Sequence, residues 1–296
     1  MKKILIALVV AVTTLSAGVA SAHMFWVNLT ESFNHPPGHV VSELGFGHVL
    51  PIDDFLVGEH GVIKVKKYQV VGPDKTIMDL GLPDTTNYPI NKSDMKLNWT
   101  KGDIGLRKIG LTPDAANGTY QVNAESVPMF FTKYINKKGK ERMAPVPMDK
   151  VKDMKTPLAS FKYQSFAKSF FSIGKWTKPE PMGYDLEIMP LTDLSDLHVG
   201  DLVEFMVTFS GKPVTASSKS IRTLTCTSNT YGGPDGFHLG SVLTNGKARF
   251  RMPAAGQWLV NIFYDEVVEG SPELVDLKGK CTKVFTAGTV FFNVKP

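Results

Sequence analysis

Cysteine is scarce in this chain: 296 residues contain two, Cys226 and Cys281. They are far apart, so no CxxC redox motif exists. Nor is there a GxSxG, P-loop, GxGxxG or HExxH segment. That removes the usual sequence grounds for a serine hydrolase, a nucleotide-binding enzyme or a zinc protease. After residue 22, no run approaches 18 apolar residues, so no spanning helix is expected. No lipobox-like cysteine follows the N-terminal stretch, which argues against a lipid anchor. One-sided charge is also lacking. The chain holds 33 basic and 28 acidic residues, a formal +5. This is too mild for nucleic-acid binding, and no basic stripe with interleaved aromatics is visible.

Apolar residues make up 43% and aromatics 10%, enough to fill real cores. Lys2 and Lys3 precede an apolar stretch, Ile4 to Leu15, and then the small-x-small site Ala20-Ser21-Ala22. This reads as a secretory signal peptide over residues 1–22, too short for a membrane span. The expectation is a periplasmic protein with no stable membrane insertion after cleavage. Its mature form has 274 residues and begins at His23, with net charge +3 from 31 basic and 28 acidic residues. Export makes a Cys226–Cys281 disulfide the favoured reading. It would close a 54-residue segment and stabilise by roughly 2–4 kcal/mol. Two separate thiols are the alternative, since sequence carries no distance between them.

Val62–Val71 is β-branched, partly alternating, and closed by Gly72-Pro73-Asp74. Asn117-Gly118 precedes a second such run, Thr119–Ala124. With no sustained helical periodicity, residues 23–135 read as an N-terminal β-sandwich domain. Residues 136–182 read as a linker or insertion. Lys137–Arg142 is a polar turn or hairpin tip, and Val146–Lys155 is rich in Lys, Asp, Met and Pro. Phe161, Phe166, Phe170, Phe171 and Ile173 suggest a short helix packed on a sheet. Residues 183–296 carry about seven short strands between turns, including the alternating Val203, Phe205, Val207 and Phe209. They read as a C-terminal immunoglobulin-like β-sandwich. The fold class is all-β, two sandwich domains with a short helical or loop-rich linker.

Five of the seven histidines fall within residues 23–60: His23, His35, His39, His48 and His60. Cleavage would give His23 a free α-amine beside its imidazole, and the two nitrogens can chelate one ion. One or two further imidazoles would complete a site for Ni, Co, Cu or Zn. His48, in Gly45-Phe46-Gly47-His48-Val49-Leu50-Pro51, is the best partner, and His60 follows. His35 and His39 flank a Pro-Pro-Gly loop, while His198 and His238 read as structural or exposed. Asp53 and Asp54 offer an oxygen ligand or an orienting contact, although such pairs are commonly solvated turns. Glu187 is the lone charge in Leu186-Glu187-Ile188-Met189-Pro190.

Three segments resemble the DUF4198 family of exported bacterial proteins, often labelled periplasmic components of nickel or cobalt uptake and related to NikM-like proteins. The first is Ala22-His23-Met24-Phe25-Trp26-Val27. The second is Gly47-His48-Val49-Leu50-Pro51, with Leu50 replacing an aromatic. The third is Gly183-Tyr184-Asp185-Leu186-Glu187-Ile188-Met189-Pro190-Leu191, followed by Gly200-Asp201 and Gly211-Lys212-Pro213. The resemblance implies a metal-related periplasmic role and carries over His23, His48 and Glu187. The expected metal set is therefore His23, His48, His60 and Glu187. The expected cargo is a divalent transition metal, nickel or cobalt ahead of copper or zinc, and the partner a membrane metal transporter. No enzymatic activity is expected. The alternatives are a metal-free envelope sandwich and a copper enzyme with a histidine brace.

Overall fold

One strand organises this molecule, and it lies in the stretch that reads as a linker. In the computed structural model, which describes residues 23–57, 62–218, 220–231 and 237–296, residues Met154–Ile173 form a single 20-residue strand. Along the chain the strands are β1 (Met24–Ser32), β2 (His39–Gly47), β3 (Val65–Val71), β4 (Ile77–Asp79), β5 (Asn91–Lys92), β6 (Asn98–Trp99), β7 (Arg107–Gly110) and β8 (Gly118–Ser126). Then come β9 (Met129–Asn136), β10 (Glu141–Ala144), the long β11 (Met154–Ile173), β12 (Leu186–Pro190), β13 (Leu202–Phe209) and β14 (Lys212–Pro213). The last are β15 (Thr223–Ser228), β16 (Leu239–Val242), β17 (Lys247–Arg251), β18 (Gly256–Val267) and β19 (Lys283–Val294).

Ten strands form one sheet, in the order β16-β15-β18-β19-β11-β8-β3-β4, with β9 and β10 built off β11. β11 runs parallel to β19 and antiparallel to β8 and β9. Alternation decides what each face of β11 buries. Phe166 and Phe170 point into a core with Leu186, Ile188, Val203 and Phe205. Ala167 and Phe171 point into a second core with Phe25, Val27, Leu44 and Tyr68. The β1-β2-β7 sheet therefore covers one face of the large sheet, and the sheet of β12, β13, β14 and β17 covers the other. This is an all-β sandwich fold in which one sheet serves both cores.

The helix expected over Phe161–Ile173 is a strand. Its apolar residues fall at irregular spacings because both faces are buried, which destroys simple alternation and imitates a helical period. The expected disulfide is absent too: Cys226 and Cys281 are free and both buried. Cys226 pairs with Val260, and Val260 with Val290. Cys281 lies nine residues before Val290, roughly 30 Å along the strand direction at ~3.3 Å per residue. A disulfide needs Cα atoms within about 7 Å.

Candidate functional site

The register of β1 against β2 brings two predicted residues together. Met24 pairs with Gly47 and Phe25 with Phe46. Extending that register by one residue sets His23 opposite His48. Their ring centroids are 4.3 Å apart, with planes inclined at 50°. Phe46 stacks on His23 at 4.9 Å and 21°. Both histidine side chains are partly open to solvent, 28% for His23 and 38% for His48.

Two carboxylates complete the group. Asp54 Oδ2 is 4.0 Å from His23 Nε2, and Asp53 Oδ2 is 3.8 Å from His48 Nδ1. The loop is held so that this happens. Asp54 bridges to Phe46 of β2. The His48 backbone N–H donates to both oxygens of Asp53, at 2.9 and 3.1 Å. Gly47, at φ +144°, makes room: a Cβ there would lie 2.1 Å from Asp53 Oδ1. Gly45 lies flat on the Trp26 indole, where a Cβ would come within 2.0 Å. The freed indole N–H donates to Asn28 Oδ1 and to the Pro51 carbonyl. Asn28 Nδ2 also donates to that carbonyl, at 2.7 Å. The glycines of the Gly-Phe-Gly-His segment thus allow close packing against β1 and the 48–54 loop.

The start of β1 is fixed from the large sheet. Thr289 Oγ1 donates to the Phe25 carbonyl at 2.7 Å. The Tyr163 hydroxyl donates to the His23 carbonyl at 3.5 Å. Burial pushes Tyr163 up to about 12, so it stays a protonated donor at neutral pH. The result is a pair of imidazoles, backed by two carboxylates, on an anchored strand end.

Two further residues were expected at this site. His60 falls in residues 58–61, outside the described residues. Glu187 is on the far face of the large sheet, in the core that does not contain β1. Its carboxylate is already bound. Glu187 Oε1 pairs with Lys168 Nζ and accepts the Met182 N–H, while Oε2 accepts the Gly183 N–H. Burial pulls the Lys168 ammonium below the usual lysine range, with Glu187 opposing. Glu187 is therefore an inter-sheet tie, and a buried charge in an apolar run needs such a partner. His39 pairs with Ser32, at the opposite end of the β1–β2 ladder from His48. Among the described residues, no group of three or more His, Cys, Asp and Glu side chains is drawn together as a cation cage. Phe46, Trp26 and Asn28 were not legible as site residues, because their part depends on the β1–β2 register.

A family described as "Domain of unknown function (DUF4198)" matches residues 20–266. The chain belongs to the DUF4198 family. The match opens three residues ahead of His23 and takes in both halves of the β1–β2 site. No curated protein matches this DUF4198 chain.

Proposed function

We propose that this protein is exported, is processed before His23, and binds a divalent transition-metal ion as cargo for uptake. The α-amine and imidazole of His23 and the imidazole of His48 would hold the ion. The observation that carries this reading is the 4.3 Å approach of the two rings at the start of β1. Nitrogen donors suit Ni, Co, Cu and Zn better than Mg or Ca. The side chains alone supply two nitrogens, and the third comes from the amine that cleavage releases. Asp53 and Asp54 stand where carboxylates commonly orient metal-binding imidazoles. Partial exposure of both histidines suits an ion that must be passed on. Nickel or cobalt is the favoured cargo by family resemblance, and a membrane metal transporter the favoured recipient.

The test is Ni(II), Co(II) and Cu(II) calorimetry on the protein that begins at His23, beside its His48→Ala variant. The reading expects one ion per chain and at least roughly tenfold weaker binding in the variant. Equal affinity in both proteins would remove His48 from the site.

A further inference from the structure

We propose that the arm built from β9, β10 and the start of β11 docks on an anionic lipid bilayer. Residues 133–155 hold eight basic and three acidic side chains; subtracting these from the 33 and 28 of the whole chain leaves 25 of each sign elsewhere. The whole formal net charge of +5 is therefore concentrated in this one arm. Lys137, Lys138, Lys140, Arg142, Lys152 and Lys155 are all exposed. The arm's acids are largely committed to neighbours. Glu141 Oε1 is 2.8 Å from Lys133 Nζ, Asp153 Oδ1 accepts the Tyr134 hydroxyl at 2.8 Å, and Asp149 Oδ2 is 3.9 Å from Lys150 Nζ.

The arm is ordered rather than a charged tail. Asn136 Oδ1 accepts the N–H groups of Lys138 and Lys140 and closes the β9–β10 turn. Thr132 Oγ1 donates to the Val146 carbonyl, and the Met148 N–H donates to the Lys280 carbonyl. Two apolar side chains stand exposed among the cations, Met143 at 62% and Leu158 at 48%. A positive surface with isolated apolar projections matches a headgroup layer over an acyl boundary. Lipid is favoured over an acidic polypeptide by the choice of cation. Seven of the eight basic residues are lysines, which are flexible point charges suited to a diffuse headgroup field. Bidentate recognition of one defined carboxylate would favour arginine.

The arm's root meets the histidine site. Met129, at the start of β9, pairs with Tyr163, whose hydroxyl touches the His23 carbonyl. Lys137 is eight residues further along, roughly 26 Å at ~3.3 Å per residue. Docking would hold the β1 end of the molecule near the bilayer. The inference stands on the charge distribution and does not depend on metal binding.

The test is co-sedimentation of the protein that begins at His23 with two kinds of vesicle. One is pure phosphatidylcholine; the other contains phosphatidylglycerol as well. The expected result is partition to the anionic vesicles alone, reversed by salt. The variant Lys137→Glu/Lys138→Glu/Lys140→Glu should lose roughly a hundredfold or more in partition, with an unchanged melting temperature, since all three side chains are exposed. Three results would overturn the proposal. They are no partition at low salt, equal partition to both vesicle types, and equal partition of the variant. Retention on immobilised polyglutamate without vesicle binding would assign the arm to an acidic polypeptide instead.

Discussion

The imidazoles of His23 and His48 lie 4.3 Å apart because the β1–β2 register continues one residue past the ladder's last pair, Met24 with Gly47. Antiparallel neighbours keep directly opposed side chains within contact reach. A shift of one residue would move His48 to the other face. Features that fix this register should therefore matter as much as the histidines.

Gly47 is the first such feature. Alanine there meets two obstacles, a φ of +144° and a Cβ placed 2.1 Å from Asp53 Oδ1. Gly47→Ala should destabilise by about 1–3 kcal/mol and displace Asp53 from the His48 amide. Denaturant unfolding measures the first effect. Metal titration measures the second, as an affinity loss larger than that of a variant at the exposed Lys137.

Asp53 separates orientation from ligation. Its oxygens accept the His48 N–H at 2.9 and 3.1 Å. Asp53→Asn keeps one acceptor and should weaken metal binding less than Asp53→Ala. The alanine variant should lose roughly ten- to a hundredfold. If both variants bind as the parent does, the loop does not position His48.

Lys168 and Glu187 form a buried ion pair across the sheets. Lys168→Met leaves the Glu187 carboxylate with only the Met182 and Gly183 N–H donors, and should cost about 3–5 kcal/mol. Glu187→Gln strands the ammonium. The double variant retains one carbonyl oxygen to accept from the Met182 and Gly183 N–H groups and holds no buried charge. Its destabilisation should fall short of the sum of the singles by roughly 1–3 kcal/mol. Metal affinity should be unchanged in all three, because the pair lies on the opposite face of the sheet from β1.

The two cysteines should titrate as thiols. Both are buried and unbonded, and burial pushes the Cys226 thiol well up. A thiol reagent should react slowly with the native protein and count two thiols per chain in denaturant. Reducing agent should leave the melting temperature where it was. A count of zero would restore the disulfide.

The all-β class was legible because β-branched runs and turn residues such as Gly72-Pro73-Asp74 are local signals. The course of β11 was not. Burial on both faces erased its alternation, and its partner β19 lies over a hundred residues away. That one misreading also hid the true role of Glu187, since its counter-charge, Lys168, sits in the same strand. His23 and His48 were legible one at a time, from the expected processing site and from the glycine-flanked segment. Their contact required a register, and so did the approach of Asp53 and Asp54. The disulfide expectation followed from compartment and cysteine count, neither of which carries a distance.

The most direct test lies at the chain terminus. Calorimetry of Ni(II), Co(II) and Cu(II) on the protein that begins at His23 should be run beside a copy carrying one extra N-terminal glycine. The extra residue turns the His23 amine into an amide and leaves both imidazoles in place. The account predicts tight one-to-one binding to the first protein and its loss in the second. Equal binding by both, or none by either, would contradict capture of metal through the processed terminus.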